Sequence, residues 1–184
     1  MALTESNAFQ KGTKAANFSL LNVVNDSIET LENLKGEKGT VILFICNHCP
    51  YVIHINKTLI ALANKNQKSG INFIAISSNN VEKYPLDSPE LMKKQALELG
   101  YPFPYLYDES QEVAKAYDAT CTPDIFLYDA DLSEVYHGRL DASRPGNELP
   151  STGEELQKAI DNLIAGQAPL SKQLPSMGCG IKWK

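Results

Sequence analysis

The sequence predicts an α/β fold, a central mixed β-sheet with helices on both faces, and three observations predict it. The apolar run Val41-Ile42-Leu43-Phe44-Ile45 is too short for a buried helix and suits a strand covered on both faces. The segment from about Pro50 to Lys68 sets Val52, Ile55, Leu59, Leu62 and Ala63 near spacings of three and four, one face of a helix. A second apolar run, Ile71 to Ser77, follows at once. Strand, helix and strand in that order imply parallel strands joined by a right-handed crossover. Antiparallel hairpins before and after this unit make the sheet mixed.

The other elements follow from local signals. Residues 1 to 16 are polar and are expected to run over the surface. Phe18 to Leu21 and Ser27 to Thr30 flank Asn25-Asp26 as a small hairpin. Leu31 to Leu34 forms a short turn, closed by Gly36 and Gly39. Ser69-Gly70 ends the long helix, and residues 79 to 87 read as loop. Ser88 caps a helix whose first residue is Pro89, with Met92, Ala96 and Leu99 inward and Gly100 at its end. Pro102 and Pro104 put Phe103 to Tyr107 at an irregular or edge position. Asp108-Glu109-Ser110-Gln111 resembles a capping box for a helix through Tyr117. Asp124 to Tyr128 and Val135 to Arg139 form a hairpin, and residues 141 to 150 a loop. Thr152-Gly153-Glu154-Glu155 reads as a second capping box, before a helix with Leu156, Ala159, Ile160, Leu163 and Ile164 on one face. Residues 1–168 are expected to form one domain. Residues 169–184 form a C-terminal tail packed on or near it, docked by Trp183 on an apolar patch.

Composition narrows the function. At 184 residues the chain is long enough for one domain with a sizeable core. The formal net charge is −5 and no basic cluster occurs, which argues against a nucleic-acid partner. No apolar run approaches the roughly 20 residues of a membrane span. The stretch Met1 to Ser6 lacks the charged and apolar regions of a secretory signal, so the cytoplasm is the expected compartment. Four cysteines are too sparse for a disulfide framework at this length, and read better as catalytic, metal-binding or incidental.

The central strand ends at Cys46, and Cys49 follows at the start of the long helix, with Pro50 suited to its first turn. The unpaired N–H groups and positive dipole end of that helix favour a thiolate at Cys46. Cys46 is expected to face outward and attack a substrate disulfide, with Cys49 resolving the mixed disulfide. His48 lies between them and is a candidate tuner of the Cys46 thiolate. A depressed thiol pKa makes the disulfide more oxidising, so a potential above thioredoxin's value of about −270 mV is expected. A CxxC is also half of a four-ligand zinc site. Cys121, Cys179 and three histidines would have to complete it, none in a second CxxC. His54 and His137 are given no role.

With Thr122-Pro123 before a later strand, then a hairpin and a last helix, this order resembles the thioredoxin superfamily over roughly residues 15 to 168. The N-terminal hairpin and the insertion between residues 71 and 107 resemble its redoxin branch, which holds the alkyl hydroperoxide reductase/thiol-specific antioxidant proteins and the membrane-linked thiol–disulfide reductases. The tail Pro175 to Lys184 and Asn47-His48-Cys49-Pro50 are similar to a thioredoxin-like group within that branch. The resemblance implies a cis Pro123 facing the CxxC, with Thr122 offering backbone groups to an extended substrate. It is departed from at Ile45, where thioredoxins usually have Trp, and at Thr40, where many place a buried acid. Peroxiredoxins need Pro and Thr seven and three residues before their reactive cysteine. Those places hold Ile42 and Cys46 counted from Cys49, or Gly39 and Leu43 counted from Cys46.

Cys121, two residues before Pro123, is a candidate third redox thiol or a small buried apolar residue. Cys179, flanked by Gly178 and Gly180, lies on a tail whose ten residues after Pro169 can extend about 33 Å. A domain of this size has a radius of gyration near 16 Å, so Cys179 can reach the CxxC. It is a candidate resolver, a link between subunits or an exposed thiol. The expected function is thiol–disulfide oxidoreduction with no cofactor beyond the redox-active disulfide. Partners are a protein or small-molecule disulfide or thiol and a reductant. The alternatives are a thiol-dependent, antioxidant peroxidase of the peroxiredoxin type, and a metal-binding or metal-delivery protein using Cys46, Cys49 and a histidine.

Overall fold

In the computed structural model, which describes residues 3–184, the chain opens with strands β1 (Leu3–Glu5), β2 (Ser19–Asn22) and β3 (Ser27–Thr30) and a one-turn helix α1 (Leu31–Leu34). The central unit is β4 (Gly39–Phe44), α2 (Pro50–Gln67) and β5 (Ile71–Ser77). Then come α3 (Pro89–Leu99), β6 (Tyr105–Tyr107), α4 (Glu112–Ala116), β7 (Cys121–Thr122), β8 (Asp124–Asp129) and β9 (Glu134–His137). Helix α5 (Glu154–Ile164) and β10 (Met177–Gly180) finish the chain. All six residues of β4 are buried. A strand with no polar face must be covered on both sides, and β4 pairs parallel with β5 and antiparallel with β8. The main sheet is mixed, in the order β3-β2-β6-β5-β4-β8-β9.

The core divides across this sheet. Val52, Ile55 and Leu59 of α2, Met92 and Ala96 of α3, and Leu156 and Ile160 of α5 pack on one face with Val41 and Leu43. Leu31 and Ala114 pack on the other with Ile42, Phe44 and Phe126. The alternation of β4 side chains, odd to one face and even to the other, is what splits the core.

Several expectations need correction. The first residues do not merely run over the surface: β1 pairs antiparallel with β10, and Lys14 bridges to Ser133. β6 is an interior strand between β2 and β5, its prolines lying just before the paired residues. Neither acidic cluster caps its helix as a local box. Asp108 accepts the Ala114 N–H at 2.9 Å, and Asp141 accepts the N–H groups of Thr152 and Gly153 at 2.8 and 2.7 Å. Asp108 thus reaches into the first turn of α4, whereas Asp141 holds the residues just before α5, whose Glu155 and Leu156 N–H groups end on the Leu140 carbonyl. Leu99 and Ile164, each at the last turn of its helix, are exposed. Trp183 does not dock the tail: it is exposed, whereas Ile181 is buried in the second core.

Candidate active site

Strand β4 delivers Ile45 and Cys46 to the junction, and Cys49 occupies the N-cap of α2 with Pro50 behind it. The Thr122–Pro123 peptide is cis, and this loop faces the pair. Cys49 Sγ lies 3.1 Å from the Thr122 carbonyl oxygen, and Cys46 Sγ lies 3.5 Å from Thr122 Oγ1. The Thr122 hydroxyl also donates to the Cys179 carbonyl at 3.4 Å. One threonine thus touches Cys46, Cys49 and Cys179. Beside Pro123 opens a cleft of about 70 Å³, lined among others by Tyr51, His54, Arg144 and Met177.

Cys46 does not face outward. It is 1% exposed and Cys49 is 0% exposed. Nor is Cys46 the thiol whose pKa is lowered. The Cys46 thiol is pushed far up, first by the hydrogen bond it gives to Cys49, then by burial and by the nearby Asp87 charge. The Cys49 thiol is lowered to about 4, first by that same hydrogen bond, and further by the Cys179 thiol and the N–H groups of Val52 and Cys179. The physical reason is position: Cys49, as N-cap, sits nearest the unpaired N–H groups of α2, while Cys46 faces a carboxylate.

This gives a direct prediction. A lowered pKa means that the anion is present above about 4 and is lost as pH falls through that value. Thiolate absorbance in the ultraviolet should therefore persist in the reduced protein at neutral pH and titrate away near pH 4. Cys49→Ser should remove this absorbance. An unchanged titration in that variant would assign the thiolate to another sulfur.

Sequence reasoning missed Asp87. It lies in a one-turn 3₁₀ segment, Pro85–Asp87, inside the stretch read as loop, and is 0% exposed. Its carboxylate accepts the Asn47 N–H at 2.8 Å and the Asn79 amide at 2.8 Å, and His48 Nδ1 lies 2.7 Å from Oδ2. The His48 ring stacks on Tyr84, interplanar angle 4°. The buried acid absent from β4 therefore enters from the insertion. Thr40, at the position thioredoxins give to the acid, accepts the Gly36 N–H instead. No local pattern marks Asp87; a solitary acid next to a helix cap is ordinary in a loop.

The Cys46 sulfur, a His48 nitrogen and an Asp87 oxygen lie within 4.8 Å of one another and could hold a soft or borderline cation. The group has three donors rather than the four of a structural zinc site, and Cys49 is outside it. Thr122 and Pro123 are at the centre as expected. Cys121 is not: strand alternation sends it to the opposite side from Thr122, where its thiol donates to the Pro123 carbonyl at 3.4 Å. Cys179, on β10, is at the centre. His54 bonds Ser143 at 3.0 Å, and buried His137 lies 2.7 Å from buried Asp124, bracing the residue after Pro123.

The fold is thioredoxin-like, of the redoxin type. The chain belongs to the AhpC/TSA family, whose model matches residues 11–135. It is similar over its whole length to an uncharacterized conserved protein from Geobacillus kaustophilus: 55% identity, TM-score 0.98, 100% of this chain and 97% of that one. A hypothetical protein from Sinorhizobium meliloti 1021 is 41% identical with a TM-score of 0.95, covering 98% of each chain. The thioredoxin domain of a thiol-disulfide oxidoreductase from Bacteroides vulgatus shares the fold at 17% identity, TM-score 0.63, over 82% of this chain and 98% of that one. Among curated proteins nothing matches.

Proposed function

We propose that the protein is a thiol–disulfide oxidoreductase that works by dithiol–disulfide exchange through Cys46 and Cys49. The observation that carries this reading is that both sulfurs pack on Thr122 beside the cis Pro123 at the start of α2, Cys49 Sγ 3.1 Å from its carbonyl oxygen and Cys46 Sγ 3.5 Å from its hydroxyl. The Cys49 thiolate takes the Cys46 proton, and Cys46 attacks one sulfur of the substrate disulfide, expelling the other as a thiolate. That thiolate recovers the proton from Cys49. Cys49 then attacks Cys46 in the mixed disulfide, closing the Cys46–Cys49 bond and releasing the second substrate thiolate. A dithiol reductant restores both thiols. Buried Asp87 holds the junction through Asn47 and keeps His48 beside Cys46. A transient disulfide of this kind suits a reducing compartment such as the cytoplasm. Among the described residues no helix is long and apolar enough to cross a membrane.

The test uses Cys179→Ser protein, which isolates the motif from the tail thiol. Equilibration across glutathione redox buffers, thiol alkylation and peptide mapping should give a reversible Cys46–Cys49 disulfide. If both cysteines stay alkylatable at every ratio, the exchange reading fails. A second reading, peroxide reduction, is supported by the family and by the lowered pKa of the Cys49 thiol. It would appear as rapid hydrogen peroxide consumption with Cys49 passing through a sulfenic acid.

A further inference from the structure

The tail is laid on the edge of the Thr122 strand. β10 pairs antiparallel with β7, with Cys179 opposite Thr122 and Gly180 opposite Cys121. Its other edge is filled by β1, with Leu3 opposite Cys179. The residue before a cis-proline is where the resemblance expects an extended substrate to pair, and here the chain's own cysteine-bearing strand occupies that place. The approach is close enough to dictate sequence. A Cβ on Gly178 would lie 1.9 Å from the Thr122 carbonyl oxygen, so only glycine fits there.

The strand is also firmly held. Ser176 and Ser6 exchange hydrogen bonds of 2.9 Å, and the Ile181 N–H donates to the Thr120 carbonyl at 3.0 Å. The Lys182 N–H donates to Asn79 at 2.8 Å, the same asparagine that donates to Asp87. This register sets Cys179 opposite Thr122, whose carbonyl oxygen lies 3.1 Å from the Cys49 sulfur and whose hydroxyl lies 3.5 Å from the Cys46 sulfur. Cys46, Cys49 and Cys179 therefore meet around one threonine.

We propose that Cys179 is a third redox thiol of this centre, acting as an internal substrate that takes the disulfide from Cys46. This rests on the exchange reading above. Once Cys46 and Cys49 are joined, the Cys179 sulfur attacks Cys49. The Cys49–Cys179 bond forms, the Cys46–Cys49 bond breaks, and the Cys179 proton passes to the released Cys46 sulfur. The step is an isomerisation with no net gain or loss of electrons. Two electrons from a dithiol reductant later return Cys49 and Cys179 to thiols.

The experiment treats full-length protein with glutathione disulfide, quenches with acid, alkylates and maps the linked peptides. In the unaltered protein the linked pair should join the tail peptide to the start of α2, through Cys49 and Cys179. Cys46→Ser should keep that link, because glutathione on Cys49 is displaced by Cys179. Gly178→Ala, which retains all four thiols but pushes β10 off Thr122, should lose it and show Cys46–Cys49 instead. The proposal is overturned if the unaltered protein holds only Cys46–Cys49 and Cys46→Ser stops at glutathionylated Cys49 with Cys179 still alkylatable. That result leaves the exchange reading standing. Absence of any Cys46–Cys49 bond in Cys179→Ser would instead remove the exchange reading, and this proposal with it.

Discussion

Replacing Asp87 with alanine is expected to lower the unfolding free energy by about 3 kcal/mol, because it strands buried donors rather than merely deleting a contact. The Asn47 N–H and the Asn79 amide both end on this carboxylate, and all three residues are buried. Each unpaired buried donor costs about 1–3 kcal/mol. The damage should spread, since Asn79 also holds the Lys182 N–H and thereby the end of the tail. Urea unfolding of the reduced protein measures the loss. A change below about 1 kcal/mol would mean that water takes over the carboxylate's partners. Asp87→Asn separates charge from packing. It removes the negative charge that raises the Cys46 thiol, so that thiol should titrate at lower pH than in the unaltered protein. Loss of stability without that shift would limit Asp87 to a structural brace.

Much of the scaffold was legible because its signals are local. The apolar run ending at Ile45, the helical spacing from Val52 to Ala63 and the second apolar run at Ile71 each carry their own period, and they became β4, α2 and β5. Ser88 and Pro89 likewise mark the start of α3, and the Ser88 hydroxyl accepts the Leu91 N–H. What escaped was non-local. β1 is three residues whose partner lies some 170 positions away, and no short segment announces such a pairing. The edge position expected for β6 failed because its prolines stand outside the bonded residues. The acceptors that serve α4 and α5, the Asp108 carboxylate for Ala114 and the Leu140 carbonyl for Glu155, reach forward six and fifteen residues, beyond a four-residue box. The site was half visible for the same reason. Cys46, Cys49, Thr122 and Pro123 sit in recognisable local contexts, whereas Asp87 and the β10 register exist only after the insertion and the tail fold back. The lowered thiol is Cys49 rather than Cys46, first through the Cys46 side chain and then through Cys179 and the Val52 N–H, partners that depend on which residue is the N-cap and where the tail lies.

Cys49→Ser should cost exchange turnover about a hundredfold or more, the scale of losing a positioned proton acceptor, and it removes the resolving sulfur as well. The two losses leave different marks. Without the Cys49 thiolate, the Cys46 proton has no base, so the first attack on glutathione disulfide slows. Without a resolver, whatever adduct forms at Cys46 persists. The variant should therefore accumulate a glutathione adduct on Cys46 slowly but without decay, visible as a mass increase that maps to the end of β4. Raising the pH should recover the rate of adduct formation, because hydroxide can replace the missing base, but should not restore its release. Serine also removes the anion next to Cys46, and with it the interaction that most strongly holds the Cys46 proton. The recovery should then occur at a lower pH than Cys46 would need beside an intact Cys49. If the variant remains unmodified at every pH while Cys46→Ser takes the adduct on Cys49 at the full rate, the attacking sulfur is Cys49. The roles of the two cysteines would then be exchanged, with the Cys49 thiolate as nucleophile in its own right and Cys46 as its proton donor.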